Sequence, residues 1–103
     1  MVAKRDNSVN TAVLLTLEEF SKFYGKHRVR TNTIIRYRLE QALEDGILDT
    51  ILPSRIRIVP KSTIRLFLAL DRPTHDILKE YATKKKSSLS SLIRGILKYY
   101  GEI

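Results

Sequence analysis

Arg65 stands in the run Thr63-Ile64-Arg65-Leu66-Phe67-Leu68-Ala69-Leu70, in which every second residue is aliphatic. Strict alternation is strand periodicity. It puts Ile64, Leu66, Leu68 and Leu70 on one face and Thr63, Arg65, Phe67 and Ala69 on the other. An arginine on an open strand face offers a rigid fork of N–H donors, the geometry that meets O6 and N7 of guanine at about 1–3 kcal/mol of discrimination. Thr63 adds a hydroxyl, or a methyl contact to thymine. Phe67 adds an apolar surface that packs on thymine methyls or against protein. The earlier run Thr11–Leu17 has strand composition too, with Asn10, Ala12 and Leu14 on the matching face. Of these three, Asn10 alone carries base-contacting chemistry.

Composition removes most other chemistry. The chain has 103 residues, no cysteine and two histidines, His27 and His75, in no ligand-like cluster. Thiol chemistry, disulfides and a catalytic zinc site are therefore not expected, and no cofactor is implied. There are no paired carboxylates, no Ser/His/Asp order and no GxxxxGK loop, so the expectation is a protein that is not an enzyme. The longest apolar run is the five residues Leu66–Leu70, far short of the ~18 that a membrane span needs. The start MVAKRDNSVN lacks the apolar stretch of a signal peptide, and a cytoplasmic location is expected.

Charge is unevenly distributed. Residues 1–52 hold eight Lys/Arg against seven Asp/Glu, a balance of +1; residues 53–103 hold eleven against four, a balance of +7. A polyanionic partner is expected to favour the second half.

The elements that must position these residues come in a repeated order. Residues 1–10 read as a flexible arm. Residues 11–46 read as strand, helix, helix. Thr16 and Glu19 form a capping box at the first helix, which shows Leu17, Phe20, Phe23 and Tyr24 at helical spacing and falters near Gly25. Thr31 or Thr33 is expected to cap the second helix, with Ile35, Leu39, Ala42 and Leu43 inward and Gly46 ending it. Residues 47–62, with Pro53 and Pro60 around Arg55-Ile56-Arg57-Ile58-Val59, read as a linker with an extended edge segment.

Residues 63–103 repeat strand, helix, helix. Asp71 caps the third helix with Pro73 in its first turn, and Lys84, Lys85 and Lys86 lie at its end, where the helix dipole favours cations. Ser88 caps the last helix, whose wide apolar stripe is Leu89, Leu92, Ile93, Ile96, Leu97 and Tyr100. Gly95 inside that stripe points to a close helix–helix approach. The repeat is about 55 residues long. Neither half can finish itself, because a lone strand makes no sheet.

Residues 63–100 resemble the ribbon-helix-helix DNA-binding proteins, with the strand, the Pro-containing turn, Leu78 and Ala82, then the SxSxLI pattern at Ser88, Ser90, Leu92 and Ile93. The first half is less similar; setting Leu15 against Leu70 places Thr16 on Asp71 and Phe23 on Leu78, with a first helix about two residues shorter. Two such halves in one chain resemble the tandem ribbon-helix-helix transcription regulators of archaeal filamentous viruses. The resemblance implies a mainly α fold with short β-ribbon strands, built as two tandem ribbon-helix-helix units. It also implies an intracellular, virus-encoded protein acting in the host cell.

By the same resemblance, the ribbon enters the major groove of double-stranded DNA with Thr63, Arg65, Phe67 and Asn10 as base readers. Phosphates are then held at helix starts by the amides of Ser88, Leu89 and Ser90, with Lys84, Lys85 and Lys86 nearby. The corresponding set in the first half is Thr31, Asn32 and Thr33, with Arg28 and Arg30 near them, and Lys4 and Arg5 of the arm follow the backbone. Arg36 and Arg38 read equally as surface charges facing Glu40 or Gln41.

The two halves can close on each other within a chain, or like halves can pair between chains. The second arrangement concentrates positive charge, so a homodimer is expected, with Leu66, Leu68, Leu92, Ile93 and Ile96 as its core and further assembly along DNA. The wide apolar face of the last helix, with only Arg94 and Lys98 as cations, suits such a core better than a membrane surface. No small-molecule effector is evident. Two competing classes are an antitoxin or copy-control type repressor, and a protein-interaction or virion component that has lost DNA reading; Phe67 and Leu14 on the outer face favour the last.

Overall fold

The computed structural model describes residues 8–56 and 63–103. β1 (Ser8–Thr16) leads into α1 (Leu17–His27), a 3-10 turn over Arg28–Arg30 and α2 (Thr31–Asp45); β2 (Thr63–Asp71) leads into α3 (Arg72–Lys84) and α4 (Leu89–Tyr99). The two strands pair antiparallel in one two-stranded sheet, from Ser8 opposite Asp71 to Thr16 opposite Thr63.

Side-chain caps make both strand-to-helix corners. Thr16 Oγ1 accepts from Glu19 N at 3.1 Å, and Glu19 Oε1 accepts from Thr16 N at 3.0 Å. At the second corner Asp71 Oδ2 accepts from Thr74 N at 3.3 Å and from Thr74 Oγ1 at 3.0 Å. Each cap satisfies an amide that the first helical turn leaves free. At the far end of α2, Gly46 takes φ +66, a left-handed conformation that costs glycine little, and its N–H turns back to Ala42 O and Leu43 O.

The expectation of two tandem ribbon-helix-helix units does not hold. The described residues form four helices and one two-stranded sheet, and that sheet takes one strand from each half. Nor are the strands short, at nine residues each. The physical reason lies in the incompleteness of each half: a strand with no partner of its own pairs with the other strand of the chain, and the helices then share one interior. Val13, Leu15, Phe23, Ile35 and Leu39 from the first half pack in one cluster with Leu68, Leu70, Leu78, Leu92 and Ile96 from the second. Leu68, Leu92, Ile93 and Ile96, expected between two chains, are buried inside this one, and Leu66 is half-buried against the same cluster.

Residues 47–56, the described part of the expected linker, pack on the core. Leu48 and Ile51 are buried in the core, and Ser54 N donates to Ser91 O of α4 at 2.8 Å. α4 is accordingly enclosed, with every residue from Ser91 to Leu97 buried. The close approach at Gly95 comes from this segment rather than from a helix: a Cβ there would meet the carbonyl oxygen of Leu52 and lie 3.1 Å from Ile51 Cγ2.

Three local expectations also change. β1 begins at Ser8, so Asn10 belongs to the ribbon and not to an arm. α1 runs past Gly25 to His27, while Leu17 and Tyr24 are exposed. Neither Thr31 nor Thr33 caps α2, which follows the 3-10 turn directly, has Arg30 at its N-cap and makes no side-chain cap bond. No helix among the described residues is long and apolar enough to cross a membrane.

Candidate nucleic-acid interface

The pleat sorts the ribbon into two faces. Val13, Leu15, Leu68 and Leu70 are buried beneath it. The opposite face carries the cross-strand pairs Asn10–Ala69, Ala12–Phe67, Leu14–Arg65 and Thr16–Thr63. Arg65, Asn10 and Ala69 are exposed, Thr63 is half-buried, and Phe67 is 62% exposed, a large aromatic ring that the helices leave uncovered. The structure thus brings the four expected base readers, Thr63, Arg65, Phe67 and Asn10, onto one face of one ribbon.

The ribbon's two outer edges are each held by the start of a helix from the other half of the chain. Leu14 N donates to Ser90 Oγ of α4 at 3.0 Å. Asn32 Nδ2 of α2 donates to the carbonyl oxygen of Phe67 at 2.9 Å. Leu14 and Phe67 therefore turn backbone groups outward, and their rows are the ones without mutual strand bonds, where facing side chains stand closest. These contacts also occupy edge groups that would otherwise template another strand. α2 and α4 consequently begin beside the face that carries Arg65.

At the α4 start, Ser88 Oγ accepts from Ser91 N at 3.1 Å and Leu92 N donates to Ser88 O at 3.0 Å. Among the described residues no hydrogen bond engages the amides of Leu89 and Ser90, so they remain available to an anion at the positive end of the helix. Lys86 precedes this start in a left-handed conformation (φ 56) and is exposed. Lys84 lies over the Tyr81 ring at 5.4 Å, and Lys85 Nζ donates to Asp49 O at 3.1 Å. Of the first-half phosphate set, Asn32 is engaged with the ribbon, Thr31 is half-buried and Thr33 exposed, with Arg28 and Arg30 exposed beside them. Lys4 and Arg5 lie outside the described residues, as does the stretch Arg57-Ile58-Val59.

Two features escape a reading of the sequence alone. Arg55, placed in the expected linker, borders an open cleft of about 670 Å³ with Lys85, Lys86 and Ser87. It also borders a smaller one of about 190 Å³ with Leu14, Ser88, Ser90 and Arg94. Arg55 therefore joins the cations at the α4 start; its only signal in the sequence is the alternation Arg55-Ile56-Arg57.

The second is Arg94, 4% exposed rather than on a polar helix face. Its Nη2 pairs with Glu19 Oε2, and its Nη1 donates to Ser54 O at 2.6 Å and to Ser54 Oγ at 2.9 Å. Glu19 uses its other carboxylate oxygen in the capping box, so Arg94 ties the β1–α1 corner, the 47–56 segment and α4 together beneath the ribbon's end. Comparison with known protein families, with curated proteins and with solved structures finds no match for this chain.

Proposed function

We propose that this protein is a sequence-specific double-stranded DNA-binding regulator of transcription that lays its β-ribbon in the major groove. The observation that carries the proposal is the uncovered outer face of the ribbon, with Arg65 and Phe67 on β2 beside Asn10 on β1 and a helix start at each edge. A two-stranded ribbon fits a major groove about 12 Å wide, and side chains on its outer face then meet base edges. Phosphates on either side of the groove fall to the α4 start, with Lys84, Lys85, Lys86 and Arg55 around it, and to the α2 start with Thr33, Arg28 and Arg30. The +7 balance of residues 53–103 supports the same partner. The likeness of residues 63–100 to ribbon-helix-helix DNA-binding proteins adds to it.

Selection of bound fragments from a random duplex library at near-physiological salt tests the reading, with an enriched motif as the expected result. Arg65→Ala then weakens binding to the enriched site about 10-fold or more while leaving random duplex almost unchanged, as loss of one bidentate base contact requires. An equal loss on both duplexes makes Arg65 a phosphate contact. Absence of any binding transfers the exposed Phe67 face to a protein partner.

A further inference from the structure

We infer that one chain reads an asymmetric duplex site, with Arg65 on a guanine and Asn10 on an adenine about four base pairs away, on either side of a centre where Phe67 packs on thymine methyls; this deepens the DNA-binding reading and rests on it. The two N-caps Thr16 and Asp71 do the same work at the equivalent strand-to-helix corner of each half, so each position of β1 has its repeat equivalent on β2 at the same spacing. By that equivalence Ala12 corresponds to Phe67, and these two residues are also cross-strand partners. The pseudo-twofold axis of the ribbon therefore passes between them.

Equivalent residues lie at equal distances on opposite sides of this axis. Asn10 corresponds to Arg65, and Leu14 to Ala69, each pair one row from the centre. A ribbon made from two identical strands presents the same reader on both sides and selects a palindrome. Here the two readers differ in chemistry. Arginine pairs with guanine O6 and N7, whereas asparagine pairs with adenine N6 and N7. Rows two residues apart are separated by about 6.8 Å along a strand. The readers, two rows apart, thus stand about 14 Å from each other, the rise of about four base pairs. The axis makes their targets lie on opposite DNA strands. Between them the outer face is apolar, with Phe67 and Ala12, and its chemistry selects 5-methyl groups over polar base edges.

Selection with the full chain is expected to enrich a non-palindromic motif with guanine and adenine about four base pairs apart around a thymine-containing centre. A palindromic motif overturns the inference while leaving the DNA reading intact, and no enrichment overturns the reading beneath it. Asn10→Arg, at an exposed position that the fold does not need, is expected to switch the adenine position to guanine; an unchanged adenine overturns the assignment of Asn10. Deoxyuridine in place of the central thymines is expected to weaken the native chain three- to tenfold and the Phe67→Ala variant not at all. Equal responses from the two proteins overturn the role given to Phe67.

Discussion

Glu102 shows how a single side chain is made to stay charged in the interior. It is 1% exposed, yet His27 Nε2 lies 2.6 Å from Oε1, Arg38 Nε donates to Oε2 at 2.7 Å, and Lys26 Nζ stands 3.6 Å away. Burial by itself raises a carboxyl pKa, but the hydrogen bonds and charges of His27 and Arg38 outweigh it and hold Glu102 below its ordinary value of 4.5. A depressed folded-state pKa stabilises the protein above the ordinary carboxylate range, and that contribution is lost as pH falls through the folded value. Thermal melts from pH 7 down to pH 3 are expected to show a steep acid limb in the native chain and a shallower one in Glu102→Gln. At pH 7 the variant is expected to be less stable by about 3 kcal/mol, since Arg38 loses a buried partner; equal acid limbs would remove Glu102 from this role. Tyr100 illustrates the opposite sign. Burial and then its hydrogen bond to Asp45 Oδ2 push its phenol up to about 12.

At the scale of elements, the segment 47–56 does more than connect. Its backbone lies so close to α4 that Gly95 has no room for a side chain. Gly95→Ala sets two effects against each other. Helix propensity gains about 1 kcal/mol, while a methyl pressed onto the Leu52 carbonyl and Ile51 forces the segment to move. The Leu52 carbonyl lies two residues before Ser54, which the Ser54–Ser91 and Ser54–Arg94 bonds tie to α4, so the segment yields little and the clash wins. The expected net loss is about 1–2 kcal/mol, read as a fall of several degrees in Tm. A rise in Tm would mean that the segment moves freely on α4. Leu52, 83% exposed, turns its side chain away from this contact, so the packing there is carried by backbone and by Ile51.

At the scale of the whole molecule, Arg55, Lys85 and Lys86 line one cleft at the α4 start beside the ribbon. Exchange of Lys84, Lys85 and Lys86 for glutamine is expected to weaken specific and random duplex alike. Each lysine that meets a phosphate steepens the dependence of log K on log salt by about 0.9, so the plot for the triple variant should be shallower. The contacts of Lys84 with Tyr81 and of Lys85 with Asp49 commit part of their reach, and Lys86 is expected to carry the largest share. Titrating affinity from 50 to 200 mM salt measures it, and an unchanged slope would exclude all three from phosphate contact.

Local chemistry determined what was legible in the chain itself. The caps at Thr16, Asp71 and Ser88 depend on residues three positions apart, and the two faces of each strand depend on a period of two, so neither needs a distant partner. That logic was enough to order the elements, to put Arg65 and Phe67 opposite Leu66 and Leu68, and to find the core stripe of α4. Only the tertiary structure decided which strand pairs with which. Two strands that both lack partners can pair within a chain or between chains, and no local pattern separates those outcomes. Closure within the chain then set what followed from it: one ribbon with two unlike strands, the 47–56 segment packed on Gly95, and a buried Arg94. Arg94 reads as a surface cation because its partners, Glu19 and Ser54, lie 75 and 40 residues away, and pairing across such distances is written in the closure of the chain and not in the neighbourhood of the residue.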